Sequence, residues 1–407
     1  MNGHFPTGAA ALLWVALSMS SAHAALAQDA SRVRAAVRAH QQANDVHILR
    51  ELADFLAIPN LATDSTNIRR NARQLVQMLE RRGARAQLLE TPGAPPAVYG
   101  ELRTPGASRT VVFYAHYDGQ PVDTARWANP PWTPTLRTRA LTAEGAVIPL
   151  PTQPGTVEGE WRLYARSASD DKSPIVAFLS ALDALRAANI RPSVNLKFYF
   201  EGEEEAGSEH LRDALTRHRE LLNADLWIFG DGPVHPSRRH QVSFGVRGVM
   251  GVELTTYGPN RPLHSGHYGN WAPNPLVLMS HLISSMRDGN GRILIERFYD
   301  DVQPPTRAER DAIAAAPAAD SALRAELQLA RTEANNAPVM ERIMLPALNV
   351  RGISGGSVGD LAANAVPTTA HASIDFRLVP RQAPWRVRAL VEEHARWGIR
   401  RLNAIDK

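Results

Sequence analysis

"VNLKFYFEGEEEAGSEH", residues 194–210, passes from an apolar, strand-like run straight into Glu201, Glu203, Glu204 and Glu205. Four carboxylates in five positions repel one another, and like charges that close push at least one of them toward its protonated form. Solvated acidic runs normally sit on helices or tails with Lys or Arg interleaved. This run holds no cation, and "VNLKFYF" reads as a buried strand. The pattern calls for a positive charge at the end of that strand.

Similar strands alternate with helices on both sides of it. The strand-like segments are "AQLLET" (86–91), "AVYGEL" (97–102), "TVVFYAH" (110–116), "WRLYARSA" (161–168) and "ADLWIFG" (224–230). Helical periodicity marks 30–58, 65–83 closed by Gly83, "SPIVAFLSALDALRAA" (173–188) and "SEHLRDALTRHRELL" (208–222). The alternation predicts an α/β fold, a mostly parallel sheet flanked by helices, whose ligands bind beyond the carboxyl ends of the strands. From about Gly245 the pattern changes to two strands, in 245–258 and 368–379, and two helices, in 273–286 and 383–398, with an Ala-rich helical insertion between them. These segments predict a second, smaller α+β domain.

The strand ends carry the chemistry. "TVVFYAHYD" ends in His116 and Asp118, "WRLYARSASDD" in Asp170 and Asp171, "VNLKFYF" in the glutamates, and "ADLWIFGDG" in Asp231. Each signal has an ordinary reading: a surface His–Asp pair, an Asp helix cap, a turn aspartate, a solvated helix start. Their coincidence at four strand ends points to a metal site, because imidazole and carboxylate without thiolate suit Zn²⁺ or Mn²⁺.

Composition sets the outer limits. At 407 residues the chain exceeds what one hydrophobic core usually fills, about 250–300 residues. Its 44% apolar and 21% charged residues are those of a soluble globular protein. The net charge of +4 comes from scattered arginines, which form no stripe, so nucleic acid is not an expected partner. Having no cysteine excludes disulfides and thiolate ligands. "GAAALLWVALSMSSAHAALA" (8–27) reads as an export signal over 1–24, with small-residue cleavage sites near Ala24 or Ala27, although no Lys or Arg precedes its apolar core. An amphipathic first helix is the alternative. The core is shorter than the ~20 residues of a spanning helix. The expectation is an exported protein, periplasmic or secreted, not held in a membrane after cleavage.

Five ordered motifs resemble the M20 metallopeptidase family, in the branch of cytosolic dipeptidases, carnosinases and carboxypeptidase G2. They are "HYDGQPVD" (116–123), "SASDDKSP" (167–174), "EGEEEAGS" (201–208), "PLHSGHYG" (262–269) and "NAVPTTAHASIDFRLVP" (364–380). "NGRILIERFYDDV" (290–302) is similar to the large-lid dipeptidases, and the likeness runs from about residue 45 to 395. The resemblance implies a metallopeptidase catalytic domain over 28–244 and a lid over 245–400 that forms a homodimer.

It also implies two divalent ions, zinc first and manganese or cobalt as alternatives. Asp170 would bridge them, His116 and Asp231 would complete the first, and Glu205 would bind the second. Asp118 would orient His116, and Glu204 would be the general base. His264 would stabilise the oxyanion from the partner subunit, helped by Asn364, while Arg377 would clamp the substrate carboxylate. The Asp170–Asp171 peptide would be cis.

Two departures stand out. Ser173 occupies a position where the family has Gly, and the sequence ends at "WGIRRLNAIDK" where relatives continue to a final His ligand. The resemblance therefore implies a chain lacking its last catalytic segment, with a weakened second metal site and impaired activity. The expected function is metal-dependent hydrolysis of dipeptides or of a peptide C-terminus. An N-acyl amino-acid amidohydrolase on the same scaffold, or a non-catalytic dimerisation relic, are the alternatives.

Overall fold

The structure, a computed structural model, describes residues 9–235 and 237–403, with side chains for 30–235 and 237–396. The export leader expected over 1–24 lies outside the described side chains, and its first eight residues lie outside the described residues altogether. Among the described residues no helix is long and apolar enough to cross a membrane. Contacts divide the chain into two compact units, 1–233 and 234–407.

In the first unit, α1 (Ala9–Leu56, kinked at Asn44) leads into α2 (Ser65–Glu80). Asp64 caps α2 by accepting from the Asn67 backbone N–H, and Ile68, Ala72, Leu75 and Leu79 form its buried stripe. Strands β1 (Arg85–Leu89), β2 (Ala97–Leu102) and β3 (Thr110–His116) follow. Next come β4 (Thr135–Arg137), β5 (Val147–Ile148) and β6 (Arg162–Tyr164), which pair with one another as a small antiparallel sheet. Then α3 (Lys172–Ala187), β7 (Asn195–Glu201), the short helices α4 (Leu211–Arg217) and α5 (Arg219–Leu222), and β8 (Leu226–Phe229) complete the unit.

The main sheet has the order β1-β2-β7-β3-β8. β7, β3 and β8 run parallel, and β1 and β2 add to β7 antiparallel. Its central strands are covered on both faces. Phe198 and Phe200 of β7 pack with Leu75, Leu79 and Leu179 from the helices, while Tyr199 between them packs with Val112 and Tyr114 of β3 on the other face. That period of two buries β7 almost throughout and fixes which side each strand-end residue takes.

One expected strand is corrected. "WRLYARSA" contributes only Arg162–Tyr164, and these pair with β4 rather than entering the main sheet. Asp170 and Asp171 are therefore delivered by the loop leading into α3, not by a parallel strand.

The second unit holds β9 (Gly248–Tyr257), β10 (Leu263–His264), α6 (Ser265–Tyr268) and α7 (Pro275–Met286). The Ala-rich insertion forms α8 (Arg307–Ala315) and α9 (Asp320–Glu326), followed by single turns α10 (Glu333–Asn336) and α11 (Val339–Arg342). Strands β11 (Ala347–Ser354), β12 (Ala365–Val366) and β13 (Thr369–Leu378) and helix α12 (Pro384–Asn403) close it. The sheet is antiparallel with the order β11-β13-β9, so it has three strands where the sequence pattern predicts two. Its core unites Ile374 and Phe376 of β13 with Leu282 and Met286 of α7 and Val387 and Val391 of α12.

Candidate metal centre

Every site residue expected in the first unit lies at the carboxyl edge of the parallel strands. His116 is the last residue of β3, the Glu204–Ala206 turn follows β7, and Asp231 stands two residues beyond β8. The Asp170–Asp171 loop joins them, and its peptide bond is cis, as the resemblance implies.

His116, Asp170 and Asp231 each offer a donor atom within 4.8 Å of the others. His116 is fully buried, and its Nε2 lies 2.9 Å from Asp170 Oδ1. On the other side of the ring, Nδ1 faces Asp118 Oδ1 at 3.4 Å, an ion-pair distance rather than a formed hydrogen bond. The Asp170 and Asp231 carboxylates are exposed, which leaves the group open to an arriving ligand. Glu204 Oε2 stands 3.9 Å from His116 Nε2. Glu205 is not one of the three grouped donors; its Oε2 accepts from Gln120 Nε2.

Asp118 does more than face His116. Fully buried, it accepts the Glu204 backbone N–H at Oδ1 (3.1 Å) and the Glu205 backbone N–H at Oδ2 (3.0 Å). One carboxylate thus joins the end of β3 to the turn after β7. Asp171, also buried, accepts the His116 backbone N–H at 3.2 Å. Neither backbone anchor has a signal in the sequence, nor does the contact of Gln120 with Glu205.

Electrostatics register the crowding. Burial first, then neighbouring carboxylates, raise Glu204, Glu205 and Asp231 above the usual range. Asp171 is pushed up to about 7, mainly by burial and further by Asp231 and Asp170, against the opposing charge of His116. Burial opposes a proton on His116, but Asp118 and the charges of Asp171 and Glu204 outweigh it and raise the ring to about 10.

This is a site short of positive charge. One imidazole nitrogen and two carboxylates, with the imidazole backed by a further carboxylate, fit a divalent cation of the zinc or manganese type.

The second unit places His264, Asn364 and Arg377 differently. His264 ends β10, which pairs with β12, and the Ser265 backbone N–H donates to the Asn364 carbonyl at 2.9 Å. His264 and Asn364 are therefore neighbours, both exposed, with the His267 ring centroid 4.9 Å from that of His264. Arg377 lies eight residues along β13 from Thr369, about 27 Å at ~3.4 Å per residue, whereas Asn364 attaches at the Thr369 end. Its Nε pairs with Asp375 Oδ2 at 3.3 Å. Arg377 is thus held apart from the other two.

Residues 244–401 match the peptidase dimerisation domain family. The chain is 33% identical to the M20 family metallo-carboxypeptidase Sso-CP2 of Sulfolobus solfataricus, covering 86% of this chain and 75% of that one, with a TM-score of 0.69. It is 28% identical to the Cys-Gly metallodipeptidase dug1 of Schizosaccharomyces pombe, over 77% of this chain and 62% of that protein. It is 27% identical to the human Beta-Ala-His dipeptidase, over 77% of this chain and 58% of that protein. The chain thus spans about three-fifths of the length of these two curated relatives.

Proposed function

Because the chain belongs to the M20 family of metallopeptidases, we propose that it hydrolyses the peptide bond of dipeptides, or of a C-terminal residue, at a metal centre above β3, β7 and β8. The observation that carries this reading is the His116–Asp170–Asp231 donor group with the Glu204 carboxylate beside it. The dipeptidase activities in the names of the dug1 and Beta-Ala-His relatives support the substrate class.

When bound, divalent cations polarise the scissile carbonyl and make water a stronger acid at neutral pH. The residues divide the remaining work. His116, Asp170 and Asp231 would hold a first ion, and Asp170 with Glu205 would supply ligands to a second, zinc being the first candidate. Glu204 stays off the ions and moves a proton from the attacking water to the leaving amine. Burial raises its carboxyl above the usual carboxylate range, against the opposing charge of His116.

A homodimer formed through 244–401 explains the placement in the second unit. A dipeptide spans about 7 Å when extended, far less than the roughly 27 Å of strand between Thr369 and Arg377, which supports a reading in which His264 and Arg377 of one copy serve different sites. In this reading Arg377 binds the substrate carboxylate, while His264 and Asn364 serve the partner's site. Export is proposed as well, and a mature N-terminus near residue 25 or 28 in the periplasmic or secreted fraction is its test; an intact residue 1 there would overturn it.

The function is tested by elemental analysis and dipeptide hydrolysis on the purified chain, with Glu204→Gln alongside. The expected result is bound divalent metal in both proteins and a 10²–10⁴-fold lower rate in the variant, about the range for losing a general base. Equal rates, or no divalent metal in either protein, would overturn the reading.

A further inference from the structure

We infer that Asn60, in the loop between α1 and α2, is a positioning residue that sets the spacing of the metal ligands without touching the ion. This rests on the proposed metal-binding reading.

The reasoning begins with two segments distant in sequence. His116 and Asp118 leave β3, Asp170 approaches α3, and the main sheet does not join them, because the residues before Asp170 pair in the small sheet instead. Asn60 is fully buried between the two. Its Nδ2 donates to the Tyr117 carbonyl at 2.8 Å and to Ser167 Oγ at 2.9 Å. Ser167 Oγ in turn donates to the Asp118 carbonyl at 3.3 Å. The Asn60 carbonyl accepts the Gly119 N–H at 2.9 Å, and its Oδ1 accepts the Trp132 indole N–H at 3.1 Å. A single side chain therefore binds the backbone between His116 and Asp118 to the residue three before Asp170. The approach is close: a Cβ on Gly119 would sit 2.5 Å from Ser167 Oγ.

Asn60 is itself held from behind. Lys172 Nζ, fully buried, donates to the Phe55 and Ile58 carbonyls and to Asn71 Oδ1, at 2.8, 3.2 and 2.7 Å. Asn71 Nδ2 donates to the Pro59 carbonyl at 2.8 Å. Lys172 begins α3 directly after Asp171, so this network starts and ends on the ligand loop. Polar contacts that orient metal ligands typically contribute about 10–100-fold to metal affinity, whereas a merely structural bond changes stability alone.

The experiment separates these cases with Asn60→Leu, which keeps the volume and adds no charge. Asn195→Leu is the control; the Asn195 side chain makes two hydrogen bonds, against three for that of Asn60, but sits at the opposite end of β7 from the glutamates. Mn²⁺ and Zn²⁺ affinity by titration calorimetry, the visible absorption of bound Co²⁺, and thermal unfolding are measured for each. The expected result is about 10–100-fold weaker metal binding and an altered Co²⁺ spectrum for Asn60→Leu. Asn195→Leu should lower the unfolding temperature while leaving binding and spectrum as in the parent. Parental binding by Asn60→Leu, or an equal loss in Asn195→Leu, would overturn the inference.

Should Asn60→Leu not fold, Trp132→Phe decides, because it withdraws the indole N–H from Asn60 Oδ1 while keeping an aromatic ring at that position. An affinity about fivefold lower, the size of one net hydrogen bond, supports the inference, and an unchanged affinity and Co²⁺ spectrum overturn it. A parent that binds no divalent ion would overturn the metal reading and this inference together.

Discussion

Replacing Asp118 with alanine tests whether one buried carboxylate organises the metal centre. It removes the acceptor of two backbone N–H groups, at 3.1 and 3.0 Å, on the Glu204–Glu205 turn. Hydrogen bonds to a charged group contribute about 1.5–3 kcal/mol each, so the gross loss is about 3–6 kcal/mol. Two effects reduce it. The turn is only half-buried, so water can take over part of the bonding, and Asp118 is one of the charges that raise Glu204 and Glu205. The hydrogen bonds win, because the repulsion relieved is a minor contribution beside burial. The expected net loss is about 2–3 kcal/mol. Urea unfolding of the chelator-treated protein measures it, and metal titration should show affinity about 10–100-fold lower, since His116 loses its backing carboxylate. An unchanged urea midpoint together with parental metal affinity would refute the reasoning.

Saturating Mn²⁺ or Zn²⁺ should raise the unfolding temperature, reversibly with chelator; at a hundred times the dissociation constant the gain is about 2.7 kcal/mol, and a scan unmoved by metal would contradict the charge-deficient reading of His116, Asp170 and Asp231. His210 is raised above its ordinary value by its hydrogen bond to Glu203 (Nδ1–Oε2 2.9 Å) and then by that carboxylate's charge. Its folded pKa therefore exceeds its unfolded one, so its stabilising contribution is complete below about pH 6.5 and is lost as pH rises through the folded value. NMR titration of the ring should show a lower pKa in Glu203→Gln, and an unchanged one would remove Glu203 as the cause. Arg377→Met should raise KM for free dipeptides far more than it lowers kcat, whereas a pure kcat effect would argue against a substrate clamp.

The positions of His116 and the glutamates are legible because a charged residue directly after the buried runs of β3 and β7 is conspicuous, whereas Asp231 follows β8, an apolar run that reads as a strand although it lies largely exposed at the sheet edge. Asp170 was found for a partly mistaken reason. "WRLYARSA" has the composition of a strand, but only three of its residues find a pairing partner, and whether a segment joins one sheet or another is a tertiary matter. β11 escapes the sequence pattern because its alternation, Leu348 and Val350 against Asn349 and Arg351, lasts only four residues before a register shift and an exposed second half. Asn60 lies in a turn with no periodicity at all. Its importance comes from contacts 57 and 107 residues away, which nothing local encodes. The separation of Arg377 from His264 likewise depends on strand direction rather than on motif content.

That separation along β13 has a genetic consequence. If His264 and Arg377 act on different sites of a dimer, two defective alleles can rescue each other. Assayed with dipeptide well below the raised KM of Arg377→Met, His264→Ala and Arg377→Met would each disable both sites of their own homodimer. In a hybrid, one site receives both mutations and the other neither. Random association of equal amounts makes about half the dimers hybrids, each with one sound site of two, so a mixture of two dead proteins recovers about a quarter of the parental activity.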